Sequence, residues 1–170
     1  MFELLKKYKN QGAFDFSVDD NLKAKCEENS VPDGCCGVYV VYACLVGKEV
    51  PVYIGSSGHM EDNEVVPRIG GLRRRIRGKQ KDVCSCKSTL RGTLWPKLMR
   101  EQSISKLKVS WYDTEKDNPL LVEYCLILEY IVGYKRLPDW NNELKLNGQL
   151  KGKLEEFIAE NQIEILKMRD

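Results

Sequence analysis

The chain has 170 residues, 42% hydrophobic and 31% charged, which suits one globular domain with a buried core. It has no apolar run of membrane-spanning length and no signal sequence after Met1, so we expect a cytoplasmic protein without a membrane partner. The net charge is only +2, but residues 68–100 hold 11 Lys or Arg and one acid, so that this segment carries +10 and the rest −8. This asymmetry predicts a polyanionic partner such as nucleic acid.

Residues 1–36 are predicted to form a helical extension. Phe2, Leu4, Leu5 and Tyr8 fit a short amphipathic helix that Gln11-Gly12 ends, and a second helix capped within residues 17–20 would run to about Glu28. We expect this extension to pack against the domain, with an extra DNA contact as the alternative.

A β-hairpin is predicted next. Val38–Val46 is rich in β-branched and aromatic residues, Gly47 begins a turn, and Val50–Ile54 forms the returning strand. Residues 59–71 then form a polar loop, which is either a surface loop or a flap that contacts DNA.

The basic segment begins with a short helix over residues 72–78. Its arginines cannot all be buried, so they are solvated or face phosphate, and Arg75 leans toward the sheet because it lies three residues after Leu72. Lys79 would continue the same helix face and bind phosphate, and residues 80–92 are predicted to form a basic loop over DNA. The predicted nucleic-acid contacts are Arg68, Arg73, Arg74, Arg77, Lys79, Lys87 and Arg91.

The remaining segments complete an α/β pattern. A helix is expected from Trp95-Pro96 and a third strand over Leu107–Tyr112, and Asn118-Pro119 caps an apolar helix that Gly133 ends. Only Glu123 and Glu129 carry charge within that helix. They face different ways because residues six positions apart lie about 240° apart around the helix axis. A glutamate in such a helix needs water, a partner or a metal. Residues 151–168 are predicted to form a final amphipathic helix.

Seven cysteines and one histidine limit the metal chemistry. Cys35-Cys36 and Cys84-Ser85-Cys86 could together bind zinc, but neither is a CxxC pair, so we expect free thiols in a reducing compartment. The single histidine, His59, excludes a site made of several histidines.

Five elements in sequence order resemble the GIY-YIG nuclease superfamily: Gly37-Val38-Tyr39, Tyr53-Ile54-Gly55, the run 72–76 with Arg75, Glu129, and Asn141 behind Pro138. The resemblance implies an α/β (α+β) fold in which a three-stranded antiparallel sheet is flanked by helices. The domain would span residues 37–145, between the extension of residues 1–36 and a C-terminal helix over residues 146–170 that packs on the domain. The family places a proline nine and an asparagine twelve residues after its glutamate, which selects Glu129 over Glu123.

The same resemblance implies a DNA endonuclease of restriction-like or mobile-element type that uses Mg²⁺ (or Mn²⁺). Its catalytic residues would be Tyr39, Tyr53, Arg75, Glu129 and Asn141. Glu129 would bind the metal and Arg75 would clamp the phosphate, while Tyr39, with its pKa lowered by nearby cations, would act as the base and Tyr53 as its helper.

Two departures from the family weaken the assignment of the base. Ser56 and Ser57 stand where some members carry a lysine, for which Lys48 in the turn would be the substitute, and the interval between the two tyrosines is slightly long. The alternatives are a non-catalytic DNA-binding module with the same fold and a zinc-stabilised interaction domain.

Overall fold

The computed structural model describes residues 2–62, 64–142, 144 and 148–160. The strands are β1 (Gln11–Ser17), β2 (Gly37–Leu45), β3 (Lys48–Ser57), β4 (His59–Glu61), β5 (Glu64–Val66), β6 (Lys79–Lys81), β7 (Ser88–Leu90) and β8 (Lys106–Asp113). The helices are a 3-10 helix (Glu3–Lys7), α1 (Leu22–Glu28), α2 (Gly71–Arg77), α3 (Arg91–Glu101), α4 (Pro119–Tyr134) and α5 (Gly148–Glu160). In this described part of the chain, no helix is long and apolar enough to cross a membrane.

An antiparallel sheet with strand order β1-β8-β2-β3 forms the centre of the fold, so the coarse expectation of a mixed α/β architecture is confirmed. One apolar cluster lies between the sheet and α1, α2 and α3, and includes Tyr39 and Val41. A second cluster lies between the opposite face and α4, and includes Val38 and Val40. Successive residues of β2 alternate between these clusters because side chains alternate across a strand.

The sheet has four strands rather than the three that the sequence suggests, because β1 pairs with β8 along its whole length. Phe14 and Phe16 are buried on one face of β1, whereas the residues between and beside them are half-buried or exposed. The prediction of a purely helical extension over residues 1–36 is therefore wrong at this strand. Gly12, which we interpreted as a helix breaker, instead lies in β1 against the Trp111 ring, where a Cβ atom would come within 2.6 Å of a ring carbon.

The hairpin prediction is confirmed, but β3 continues through Gly55 and Ser56 to Ser57. The third predicted strand is confirmed as β8, and α2 lies where the basic helix was expected. Asn118 caps α4 by accepting a hydrogen bond from the Leu120 N–H at 3.0 Å. The helix passes through Gly133 and ends after Tyr134, where Lys135 takes a left-handed conformation with φ of 59°.

The two predicted loops contain small hairpins. The segment after β3 pairs as β4 and β5, and the segment after α2 pairs as β6 and β7. Lys79 therefore lies in β6 and not on the face of α2, because the helix ends at Gly78. Helix α3 begins at Arg91, four residues before the expected start. Helix α5 lies where the last helix was predicted, and residues 161–168 of that prediction lie outside the described residues.

Candidate active site

A cavity of about 210 Å³ opens beside β3, the edge strand of the sheet, and we call it the site cavity. Its lining includes Tyr53 from β3, Arg75 from α2, Lys79 from β6, Glu123 from α4 and Asn141 from the segment after α4. Tyr53, Arg75 and Asn141, three of the five predicted catalytic residues, therefore lie around one cavity although they are far apart in the sequence.

The glutamate at this cavity is Glu123, which accepts a short hydrogen bond from Ser56 Oγ. The same side chain also lines an adjoining cavity of about 740 Å³, together with Arg68 and Arg75. Burial raises the pKa of the Glu123 carboxyl, while the Ser56 hydrogen bond and the charges of Arg75 and Arg91 act in the opposite direction. This carboxylate is placed to attract a cation.

Glu129 lies elsewhere, which corrects the prediction that it shares a site with Arg75. Its carboxylate accepts a hydrogen bond of 2.6 Å from the backbone N–H of Phe2, and its charge acts on Tyr42 and Cys125. The physical reason is the phase of α4: two residues six positions apart cannot both face β3. The family spacing selected one glutamate, whereas the fold brings the other to the arginine helix.

Tyr39 is fully buried, and its hydroxyl has no hydrogen-bond partner among the described residues. Burial raises the pKa of this hydroxyl, and the charges of Arg91 and Arg75 offset only part of that effect. The expectation of a lowered pKa at Tyr39 is therefore wrong. The Tyr39 ring lies 5.9 Å from that of Tyr53, and its hydroxyl packs where a Cβ at Gly55 would come within 2.7 Å, so glycine at position 55 makes room for it.

Arg91 is a buried part of the site and not a surface contact for nucleic acid. Only 1% of the residue is exposed, and its guanidinium donates to Tyr53 Oη at 3.0 Å, to Gln80 Oε1 at 3.1 Å and to the Arg75 carbonyl at 2.7 Å. The prediction for Arg91 is wrong because a run of basic residues does not reveal which cation is buried. Gln80 was missed altogether, although it also accepts from Trp95 Nε1 at 3.1 Å.

Asn141 completes the edge of the sheet. Its Oδ1 accepts from the Ile54 N–H and its Nδ2 donates to the Ile54 carbonyl, each at 2.9 Å, while the Trp140 N–H donates to the Val52 carbonyl at 2.8 Å. This side chain therefore replaces one residue of a neighbouring strand. Because Tyr53 lies between Val52 and Ile54, these contacts fix the backbone that carries it.

The predicted nucleic-acid contacts separate into two groups. Arg73 pairs with Asp33 at 3.1 Å and donates to the Val31 carbonyl, and Arg77 lies 3.7 Å from Glu27, so both help to hold α2 in place. The others that remain open to a ligand are Arg68, Arg74 and Lys79, which line one cavity, and Lys87, which is exposed near the turn between β6 and β7.

The oxygen atoms of Glu123 and Ser56 form a donor set that suits Mg²⁺, which prefers hard oxygen ligands and retains several waters. Within the described residues, no group of three or more His, Cys, Asp or Glu is arranged to hold a metal ion. The fit is therefore to an ion that takes one protein carboxylate and fills its other positions from solvent and substrate. The Glu129 carboxylate accepts a hydrogen bond from the Phe2 N–H and offers no comparable set of oxygen ligands.

No protein-family model matches the chain, and neither the curated proteins nor the solved structures contain a match.

Proposed function

We propose that the protein is a metal-dependent DNA endonuclease, of restriction-like or mobile-element type, that hydrolyses a phosphodiester bond at the site cavity. The observation that carries the proposal is the convergence of Tyr53, Arg75, Glu123 and Asn141 on that cavity. A phosphoryl-transfer site needs a positive clamp, a group to manage the attacking water and a carboxylate for a cation, and these are the residue types present.

Arg75 is the phosphate clamp in this proposal. Its guanidinium is exposed, forms no ion pair within the described part of the chain, and provides the planar donor pair that matches two phosphate oxygens. Glu123, with the Ser56 hydroxyl, would hold Mg²⁺, which when bound would supply Lewis-acid activation of the phosphate. We assign this role to Glu123 rather than to Glu129.

Tyr53 replaces Tyr39 as the tyrosine that handles the attacking water. Its hydroxyl oxygen accepts from the guanidinium of Arg91 at 3.0 Å and lines the cavity, so Tyr53 Oη is placed to bind and orient the attacking water. Tyr39 supports the ring of Tyr53 from the core. Asn141 is a positioning residue, since both ends of its amide are bonded to Ile54.

The test is incubation of the purified full chain with supercoiled plasmid, single-stranded DNA and branched DNA, in Mg²⁺ or in EDTA. We expect discrete Mg²⁺-dependent cleavage that Glu123→Gln abolishes. Glu129→Gln is the matched control, because its amide oxygen can still accept from Phe2, and it should cleave like the wild type.

Salt-sensitive DNA binding without cleavage of any substrate would instead support a non-catalytic DNA-binding module. Equal loss of cleavage in both glutamate variants would contradict the assignment of the metal ligand to Glu123.

A further inference from the structure

A second cavity, of about 590 Å³, lies beside the site cavity and shares Arg75 and Lys79 with it. We call it the base cavity. Its lining combines exposed apolar side chains, basic side chains and buried polar atoms, which we call its apolar walls, basic rim and polar floor, and this combination is not needed to clamp a single phosphate.

The apolar walls are Ile69 and Leu90, of which 85% and 54% are exposed. Single exposed hydrophobic residues are common on protein surfaces, but these two line the same cavity. Gly70 has a φ of 78° and lies where a Cβ would come within 2.6 Å of Arg74 Cβ, so the chain turns tightly directly after Ile69. Apolar side chains next to arginines are the groups that proteins insert between the bases of DNA.

The polar floor holds two atoms that lack partners. Ser57 is only 1% exposed, it lines the cavity, and its hydroxyl has no hydrogen-bond partner among the described residues. The Nδ1 atom of His59, which also lines the cavity, is likewise buried and has no hydrogen-bond partner among the described residues. Buried polar atoms are normally paired, so these two indicate a ligand that carries hydrogen-bonding groups on one edge.

The basic rim supplies charge complementarity to phosphate. Arg68, Arg74 and Lys79 line the cavity and, like Arg75, form no ion pair in the part of the chain that the structure describes. A ligand with a flat apolar body, a polar edge and adjoining negative charges fits these three features together.

From this geometry we propose that the base cavity holds an unpaired nucleobase of the DNA substrate, close to the phosphate that Arg75 clamps. Ile69 and Leu90 contact the faces of the base, Ser57 and His59 bind its polar edge, and the cations contact the flanking phosphates. The inference rests on the proposed function and specifies its substrate class: DNA with an unpaired base near the cleavage site. Such a base enters without the free-energy cost of leaving a base pair.

The test measures binding, so that it does not depend on cleavage. Full-length Glu123→Gln protein is titrated with three labelled duplexes of one sequence: fully paired, with a single unpaired 2-aminopurine, and with a single unpaired abasic nucleotide at the same place. We expect the unpaired base to bind at least about tenfold more tightly than the fully paired duplex, because unpairing costs a few kcal/mol and each 1.4 kcal/mol is tenfold. It should also bind more tightly than the abasic duplex, which has no base to fill the cavity. The 2-aminopurine fluorescence should also change on binding.

Ile69→Ser, Leu90→Ser and Ser57→Ala should each reduce the preference for the base over the abasic nucleotide. The matched control is Val46→Ser, because Val46 is fully exposed on the turn between β2 and β3 and does not line the cavity. Equal affinity for the base and the abasic nucleotide would overturn the inference and leave the nuclease proposal standing. Failure to bind any of the three duplexes would overturn both.

Discussion

Replacement of Arg91 by methionine tests whether this cation supports the fold or contacts DNA. The substitution keeps most of the side-chain volume but removes three hydrogen bonds, to Tyr53 Oη, Gln80 Oε1 and the Arg75 carbonyl. Two of these acceptors keep another donor: Gln80 retains Trp95 Nε1, and the Arg75 carbonyl retains the Gly78 N–H at 3.1 Å. Of the three acceptors, only Tyr53 Oη is left without another donor among these contacts. Tyr53 borders the site cavity, where water can reach its hydroxyl.

The expected loss of stability follows from these contacts. Hydrogen bonds to charged groups contribute about 1.5–3 kcal/mol each, and removal of the buried charge offsets part of the total by ending its desolvation. We therefore expect Arg91→Met to lower the free energy of unfolding by about 2–4 kcal/mol. For a chain of this length, that corresponds to a decrease in Tm of about 5–15 °C.

The assay pairs urea or thermal denaturation with DNA binding over a range of salt concentrations. Arg74→Met is the matched control, since Arg74 is exposed and forms no ion pair within the described residues. It should keep the wild-type Tm and reduce the salt dependence of binding by about one phosphate contact. An Arg91→Met protein with unchanged Tm but weakened DNA binding would refute the description of Arg91 as a buried structural cation.

Three further changes probe the edge strand, the ion pair between buried Asp82 and half-exposed Lys97, and the proposed metal ligand. Asn141→Asp keeps the acceptor for the Ile54 N–H but removes the donor to the Ile54 carbonyl, so it should lower stability by about 1–3 kcal/mol in urea denaturation. The hydrogen bond from Lys97 holds the pKa of buried Asp82 well below its usual range, so its stabilisation is present above pH ~3.9 and is lost as the pH falls through the folded-state pKa. The wild type should consequently lose more stability than Asp82→Asn when denaturation is compared at pH 5 and pH 2. Burial raises the pKa of Glu123, so the charged carboxylate lowers the stability of the fold at neutral pH, and this loss disappears as the pH falls. Glu123→Gln removes the charge and should therefore raise the Tm at pH 7. Mg²⁺ should then raise the Tm of the wild type but not of this variant, and the same increase in both proteins would contradict metal binding there.

Local signals account for the elements that the sequence predicts well. Helix α4 has its cap and its first residue encoded by Asn118-Pro119, and the hairpin of β2 and β3 has its apolar strands and turn within one short segment. Strand β1 has no comparable local signal. It exists because it pairs with β8, about 95 residues away in the sequence, and buries Phe14 and Phe16 against α3 and its neighbours.

The site shows the same division between local and tertiary information. The positions of Tyr53, Arg75 and Asn141 follow from an ordered set of motifs, and they meet at one cavity. The choice between Glu123 and Glu129 depends on the rotation of α4 relative to β3, and the burial of Arg91 depends on how α3 packs beneath the two tyrosines. Neither the rotation of α4 nor the packing of α3 can be obtained from motif spacing or from a count of charges in the sequence.

Strand β3 sets the distance between the two proposed parts of the substrate site. Tyr53 borders the site cavity and Ser57 borders the base cavity, and four residues of extended strand separate their Cα atoms by about 14 Å. Because the two cavities also share Arg75 and Lys79, this distance is an upper bound on their separation. Phosphates of one strand of duplex DNA advance about 3.4 Å per nucleotide along the helix axis, so the bound corresponds to about four nucleotides. We therefore expect cleavage within about four nucleotides of an unpaired base, mapped on end-labelled duplexes in which that base is moved one position at a time. The cut should move with the base, and a cut that stays at a fixed sequence while the base moves would show that the base cavity does not position the substrate.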